Sequence, residues 1–492
     1  MQKHPRLFEI SAWPWLERLS RVEQRTVTLA DVPAAHWDRI AQQGFQVLFL
    51  MGVWRRSAIG RELARTDPAL VAEYDRVLPG WTPDDVPGSP YSIQAYEPDV
   101  RMGGWAGLDE ARHQLRQRRI ALVLDFVPNH TGFDHEWVTT HPERYVLGTE
   151  EDFRDAPTDF RVIERHGAAT YVACGRDPHF APWRDVAQLN YFNPETRDAM
   201  RAALREISAH SDGVRCDMAM LVLNQVFERT WRRVLRETWA APADEFWPSA
   251  TAAVSELTYL AEVYWGLEGT LLAHGFDFAY DKQFLDGLHS ADAAARVRGV
   301  LAAPDPDSSR LARFIENHDE PRSAATLGVR LPAAAVVVST APGMRFFFDG
   351  QFEGCRIRPP VQLGRWPDEP PDEAVRKLYE RIHRFAVDKV FHDGEWRMLR
   401  LSPAGDDSFG NIVAYRWKRG QSLAVVVVNL GAFPSQANID VGGHLGKGLA
   451  FDFDDRLTDA RYRWTRDALL RSGLYVRLDP GAAHMFLVRR TE

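Results

Sequence analysis

Gly213-Val214-Arg215-Cys216-Asp217 is the stretch from which the rest of the chain can be ordered. It reads as a buried strand whose last residues carry opposite charges. Arg215 and Asp217 are two positions apart, so in a strand both side chains leave the same face. A carboxylate with a guanidinium beside it is expected to stay ionised at neutral pH. A positioned, ionised carboxylate is what attack on a sugar carbon requires. One such pair is more often an internal salt bridge than a catalytic group. Three further stretches change that balance: Asp125-Phe126-Val127-Pro128-Asn129-His130, Ala261-Glu262-Val263 and Glu316-Asn317-His318-Asp319.

Each of these stretches closes an apolar run. Candidate strands lie at Phe8–Ser11, Phe45–Trp54, Ile120–Val127, from Gly213 to Asp217, Leu257–Trp265, Gly275–Tyr280, Arg313–Asn317 and Met344–Phe348. Near-continuous apolar runs of this kind mark strands buried on both faces. Helical spacing falls between them. Leu108, Ala111 and Leu115 form one stripe. Met200, Ala203, Leu204 and Ile207 form another, after the cap Asn193-Pro194. A helix with Val226, Val234 and Leu235 follows the Asp217 strand, and Val375, Leu378, Ile382 and Phe385 close the series. Eight strands alternating with helices predict an α/β fold, a (β/α)8 TIM barrel, and the polar residues fall at strand C-terminal ends, where such barrels carry their chemistry.

Periodicity is lost from about 132 to 190, too long for a plain loop. This predicts an irregular inserted domain B after strand 3. From about 389 short strands and tight turns predict a C-terminal all-β sandwich. Two hairpins are expected there, Ile412–Trp417 with Leu423–Asn429, and Leu474–Leu478 with Ala483–Arg489. The expected organisation is 1–131 and 191–388 for the barrel, 132–190 for the insert and 389–492 for the sandwich.

Of 492 residues, 45% are hydrophobic and 26% charged, a globular composition. The net charge of −8 argues against nucleic acid or an anionic membrane as partner. Cys174, Cys216 and Cys355 imply no disulfide framework. Met1–Trp15 lacks a secretory apolar core, and a cytoplasmic location is expected. Glu262, between Ala261 and Val263, is expected to hold a proton in an apolar setting and donate it. His130, His318 and Asp319 are candidates to hold sugar hydroxyls.

Together these residues resemble the α-amylase superfamily, glycoside hydrolase family 13. Asp125 to His130 is similar to the family's first motif, with Asp125 and Asn129 in supporting places. Gly213 to Asp217 resembles the second, which implies Asp217 as nucleophile and Arg215 as its orienter. Glu262 matches the third motif's acid/base. Glu316 to Asp319 resembles the fourth, which implies that Asp319 stabilises the transition state. Tyr91 stands where the family stacks a ring on the sugar being cleaved. Gln188-Leu189-Asn190 resembles the motif closing domain B.

The resemblance implies a retaining hydrolase of α-glucosidic bonds in oligosaccharides or α-glucans. A transglycosylase or sugar isomerase using the same covalent intermediate is the alternative. A non-catalytic scaffold is disfavoured because all three carboxylates are present.

Some positions depart from the family. Met218-Ala219-Met220-Leu221 lacks the Lys and His of many α-amylases, Ser92 replaces an exo-glucosidase Asp, and Gln188 replaces a calcium-binding Asp. No cofactor is expected to be required. Calcium is compatible with Asn129 but not favoured, since an amide is a poorer ligand for a hard cation than a carboxylate.

Overall fold

A computed structural model describes residues 3–165, 167–236, 238–302 and 307–491. Met1 and Gln2, part of the N-terminal stretch read above, lie outside these residues. Eight parallel strands close into a barrel: β1 (Arg6–Ser11), β2 (Val47–Met51), β3 (Ala121–Phe126), β4 (Gly213–Cys216), β5 (Thr258–Ala261), β6 (Phe278–Tyr280), β7 (Leu311–Arg313) and β8 (Met344–Phe348). Each pairs with its sequence neighbours, and β8 closes on β1.

The two-residue period of a strand decides what enters the barrel. Leu7, Val47, Phe49, Val123, Leu260, Phe278, Ala312, Met344 and Phe346 form one buried cluster inside it. The alternate residues, such as Phe8, Leu48, Leu124 and Val214, belong to the larger core beneath the helices. Two positions beyond the inward Leu7, Val123 and Leu260 stand Glu9, Asp125 and Glu262. Arg215 and Asp217 follow Gly213 with the same parity. The apolar rows therefore aim these polar residues into the upper end of the barrel.

The expected helices form, with two differences of detail. Asn193 caps the helix Pro194–His210 by accepting from Glu195 N at 2.9 Å, and Met200, Ala203, Leu204 and Ile207 are its buried stripe. In the helix Asn224–Leu235 the buried residues are Phe227, Trp231 and Leu235, while Val226 and Val234 are only partly buried. The aromatic rings fill more of the groove than the valines. The seventh strand pairs only over Leu311–Arg313 and not to Asn317. Beyond it side chains hold the backbone: Glu316 binds Arg322 and Ser323 N, each at 2.8 Å, and Asn317 Oδ1 accepts from Asp319 N and Glu320 N.

The insert is more regular than expected. Strands His130–Gly132, Leu147–Gly148, Phe160–Arg165, Ala168–Gly175 and Trp183–Gln188 form one antiparallel sheet. A further pair, Trp54–Arg56 with Ile93–Pro98, leads the chain to Tyr91 and Ser92.

The C-terminal region is all-β, with a six-stranded and a three-stranded sheet. Ile412–Arg419 and Ser422–Asn429 form the expected hairpin. The second expected hairpin does not form. Leu474–Leu478 pairs with Ser435–Ile439 in the small sheet, and Ala483–Arg490 joins the large one. The turn between them crosses from sheet to sheet. Asn429 holds it there, its Nδ2 donating to the carbonyls of Leu478 and Asp479 while its own carbonyl accepts from Gly481 N at 3.1 Å.

Candidate active site

Arg215 is fully buried at the end of β4, and carboxylates converge on its guanidinium. Nη1 donates to Asp217 Oδ1 and Nη2 to Glu262 Oε2, both at 2.7 Å. Asp125 Oδ1 is 3.7 Å from Nη1, and Asp319 Oδ2 is 4.0 Å from Nη2. Asp125 is fixed from the other side by Gly52 N at 2.8 Å. Gly52 has φ +79°, and Pro90 lies 3.0 Å from where a Cβ would stand, so the donor needs a glycine. The Tyr91 ring lies 5.3 Å from the Arg215 guanidinium carbon.

Glu262 does not meet the apolar setting that Ala261 and Val263 suggested. Its three partners are donors: Arg215, the backbone N–H of Met218 at 2.8 Å and the hydroxyl of Tyr264 at 2.7 Å. Met218 turns its N–H there by adopting the left-handed region, φ 41° and ψ 47°, an unfavourable conformation for a side chain of this size.

A second cluster meets the first at Asp319. His318 Nε2 is 2.8 Å from Asp319 Oδ2 and 2.7 Å from the Tyr91 hydroxyl, and its Nδ1 is bonded to Glu9 Oε1. Glu9, His318 and Asp125 are buried, while the Asp319 side chain remains 43% exposed at the mouth. His130 is buried against Trp183, with Nδ1 3.2 Å from Asn129 Nδ2.

Electrostatics separate these groups. Burial opposes charge on His318, but Asp319 and Glu9 outweigh it and hold the imidazole well above its ordinary range. Burial also opposes charge on Asp319, yet His318 and Arg215 bring it down to about 2. Burial pushes Asp125 up to about 6 against the pull of Arg215. Asp217 departs from the expectation. Burial, reinforced by the neighbouring carboxylates of Glu262 and Asp319, outweighs Arg215 and moves it above its ordinary range. One guanidinium divided between two carboxylates at contact distance offsets the desolvation of each less than a guanidinium of its own would. His130 is pushed down to about 3 by burial and is neutral.

At Gln188, which the resemblance sets in the place of a calcium-binding Asp, the side chain is a donor. Gln188 Nε2 donates to Asn129 O at 2.9 Å, Asn129 Oδ1 at 3.0 Å and Leu189 O at 3.1 Å. These are the oxygens a hard cation would need, and an N–H group already occupies them, so the residues present do not fit a cation. Among the described residues no group of three or more His, Cys, Asp or Glu could hold a metal.

The structure brings Asp125, Arg215, Asp217, Glu262, His318, Asp319 and Tyr91 into one cluster. Asn129 and His130 stand beside it, in the floor under the insert. Sequence reading missed Glu9, Tyr264 and the Met218 N–H. Glu9 had a usable signal, a lone carboxylate at the end of an apolar strand with inward parity. Tyr264 and Met218 act through turns that no periodicity reports. On the Glu262 side the rim carries Trp265, 43% exposed and at φ 65°, edge-on to His179 of the insert with centroids 5.0 Å apart, and near it in sequence Phe180, 69% exposed.

No protein-family model matches the chain. In sequence it is 23% identical over 350 residues to the α-amylase MalA of Haloarcula japonica, covering 68% of this chain and 46% of that protein. The chain thus matches about half the length of this curated relative. In structure it is similar to a maltogenic α-amylase, AmyB, of Thermotoga neapolitana (TM-score 0.69, 18% identity, 100% of this chain and 99% of that one). It is similar too to an α-amylase of Geobacillus thermoleovorans crystallised with acarbose (TM-score 0.68, 16% identity, 100% of both chains). A third likeness is to a cyclic maltosyl-maltose hydrolase of Arthrobacter globiformis (TM-score 0.64, 16% identity, 99% of both chains).

Proposed function

We propose, from the premise that this chain shares its fold and its four motifs with the α-amylase family, that it is a retaining glycoside hydrolase of α-glucosidic bonds. The observation that carries this reading is the sharing of one buried guanidinium by Asp217 and Glu262, one on each η nitrogen. That arrangement makes the two carboxyl groups close neighbours. Retention uses a pair about 5–5.5 Å apart, whereas inversion needs about 6.5–9.5 Å to admit a water.

In this reading Asp217 attacks the anomeric carbon while Glu262 protonates the leaving oxygen. Glu262 then takes a proton from the incoming water as that water displaces Asp217. Tyr264 and Met218 N–H hold Glu262 in place for both steps. Asp319, His318 and Tyr91 face the bound sugar ring. Developing positive charge on the sugar favours the charged form of Asp217, and the proton that Asp217 gives up passes to Glu262, which delivers it to the leaving oxygen. The acceptor side, with buried Met220 and Leu221 and the exposed Trp265 ring, suits stacking of a second sugar more than polar capture.

Oligosaccharides or α-glucans are the proposed substrates, without calcium. The donor-filled Asn129–Gln188 pair supports the latter. Cys174 and Cys216, free and buried, are compatible with a reducing cytoplasm. No helix among the described residues is long and apolar enough to cross a membrane. Incubation with maltose, trehalose, sucrose and malto-oligosaccharides, with products resolved by chromatography and anomer by NMR, tests the proposal. Release of α-configured glucose or maltose is expected. Conversion of maltose to an isomer without net hydrolysis would favour the transfer reading, and β-configured products would overturn retention.

A further inference from the structure

At the opposite end of the barrel two arginines lie in a dry layer without a counter-charge. Arg6 of β1 and Arg345 of β8 are register partners on adjacent parallel strands. Their neighbours Leu7 and Phe346 point into the barrel, so both arginines leave the outer face, beneath the helix Glu373–Ala386 and the short helix Lys389–Asp393. Both are fully buried.

Neither forms an ion pair with a carboxylate among the described residues. Arg6 Nη1 donates to Gln43 O at 2.9 Å, and Arg345 donates to Ala341 O at 2.9 Å and to Phe391 O. Arg6 Nε and Nη2, Arg345 Nη1 and His383 Nε2 are buried with no hydrogen-bond partner there. Phe45 and Phe347 stack on Arg6 at 5.0 and 5.3 Å, and Trp417 on Arg345 at 5.5 Å. The same two phenylalanines hold His383 edge-on.

The other ionisable groups in the layer do not supply a negative charge. Burial lowers His4 to about 3 and His392 to about 4, and holds His383 well below its ordinary range, so all three are neutral. The carboxylates at the ends of the covering short helix are engaged elsewhere, Asp388 by Val390 N and Asp393 by Arg419. Burial lowers Arg6 to about 9, and burial with the charge of Arg6 lowers Arg345 to about 9. Two uncompensated guanidiniums side by side in a water-poor layer are costly, and buried charges are ordinarily paired.

We propose that Arg6 and Arg345 form a buried site for a small inorganic anion of the halide class. Three unpartnered donors, Arg6 Nε and Nη2 and Arg345 Nη1, lie on register-paired residues in one layer walled by aromatic rings. A monoatomic anion is satisfied by a few N–H groups and little space. A phosphate or carboxylate would bring oxygens that Phe45, Phe347 and Trp417 cannot satisfy. The ion would neutralise the pair and tie β1 to β8 at the seam where the barrel closes.

The test uses the full chain. Thermal unfolding is followed in sodium bromide or chloride against sodium gluconate at matched ionic strength. An anion bound only by the folded state should raise the midpoint saturably, by about 2 °C or more. Arg345→Gln should lose the halide dependence, its midpoint being the same in halide and in gluconate. Crystals grown in bromide should show an anomalous peak between Arg6 and Arg345, a measurement that stands even where the variant does not fold. A midpoint indifferent to halide, a variant that keeps the dependence, or an ordered water in place of the peak would overturn the site.

Discussion

Arg215 and the Arg6–Arg345 pair are the same residue type at the same burial, set at opposite ends of one barrel. At the C-terminal end four carboxylates gather within 4.0 Å of a single guanidinium. At the N-terminal end two guanidiniums rest on rings and backbone carbonyls of their own and pair with no carboxylate among the described residues. The first arrangement has excess negative charge around a fixed cation, and burial moves Asp125 and Asp217 toward binding a proton. The second has excess positive charge and no proton to move at neutral pH. Burial is common to both; the sign of the surplus charge decides which end can do acid–base chemistry.

The contrast is broken most directly at Glu262. Glu262→Gln keeps size and removes the transferable proton. Turnover of ordinary glucosides should fall by about 10²–10⁴ or more, since general acid–base help alone is worth that much. Aryl or fluoride glucosides should lose less in the first step, and azide should restore turnover as an α-glycosyl azide. Equal losses for both substrate types, with no trapped intermediate, would remove Glu262 from its role.

Arg215→Leu sharpens the charge argument. It leaves Asp217 and Glu262 buried without their cation, at a cost of about 3–5 kcal/mol. Most activity and several degrees of melting temperature should be lost together, read by kinetics and calorimetry. Near-normal turnover would mean that the guanidinium does not organise the pair.

Glu9→Gln removes a charge from beneath His318 and leaves its shape. The Glu9 carboxylate raises the His318 pKa, so its loss should let the imidazole release its proton at lower pH. The alkaline limb of kcat/KM should move down in pH, with a loss on the order of tenfold at neutral pH, the scale of one charge-assisted hydrogen bond. An unmoved limb would confine Glu9 to packing.

In the unaltered enzyme the acid limb should also be displaced. Asp217 acts as a carboxylate, and its folded pKa is raised, so activity is lost as pH falls at a pH above the ordinary value for Asp. A free-enzyme limb near that ordinary value would show that Arg215 outweighs burial. The smallest effect expected is that of exhaustive chelation. Activity and melting temperature should be unchanged, and a loss restored by calcium alone would show that Gln188 yields to the ion.

The eight strand runs, the insert and the β-rich C-terminus were legible because strands buried on both faces must be apolar throughout, and a break in that texture is visible. The motif residues were legible because they end those runs. Less legible were features made by side chains crossing between elements. Glu316 reads as a motif acid, yet it binds Arg322 and Ser323 and shortens β7. Asp479-Pro480-Gly481 reads as a hairpin turn, yet Asn429 sends the chain to another sheet.

By itself the sequence determined the barrel, the end at which its polar residues gather and the identity of the acidic groups, because period and order are local properties of a chain. Which of those acids is hydrogen-bonded, which is pushed up by burial and which cation serves whom were decided only by the tertiary structure. Desolvation and Coulomb interaction depend on distance in space. Arg215 reaches Glu262 across 47 positions, and His318 reaches Glu9 across 309.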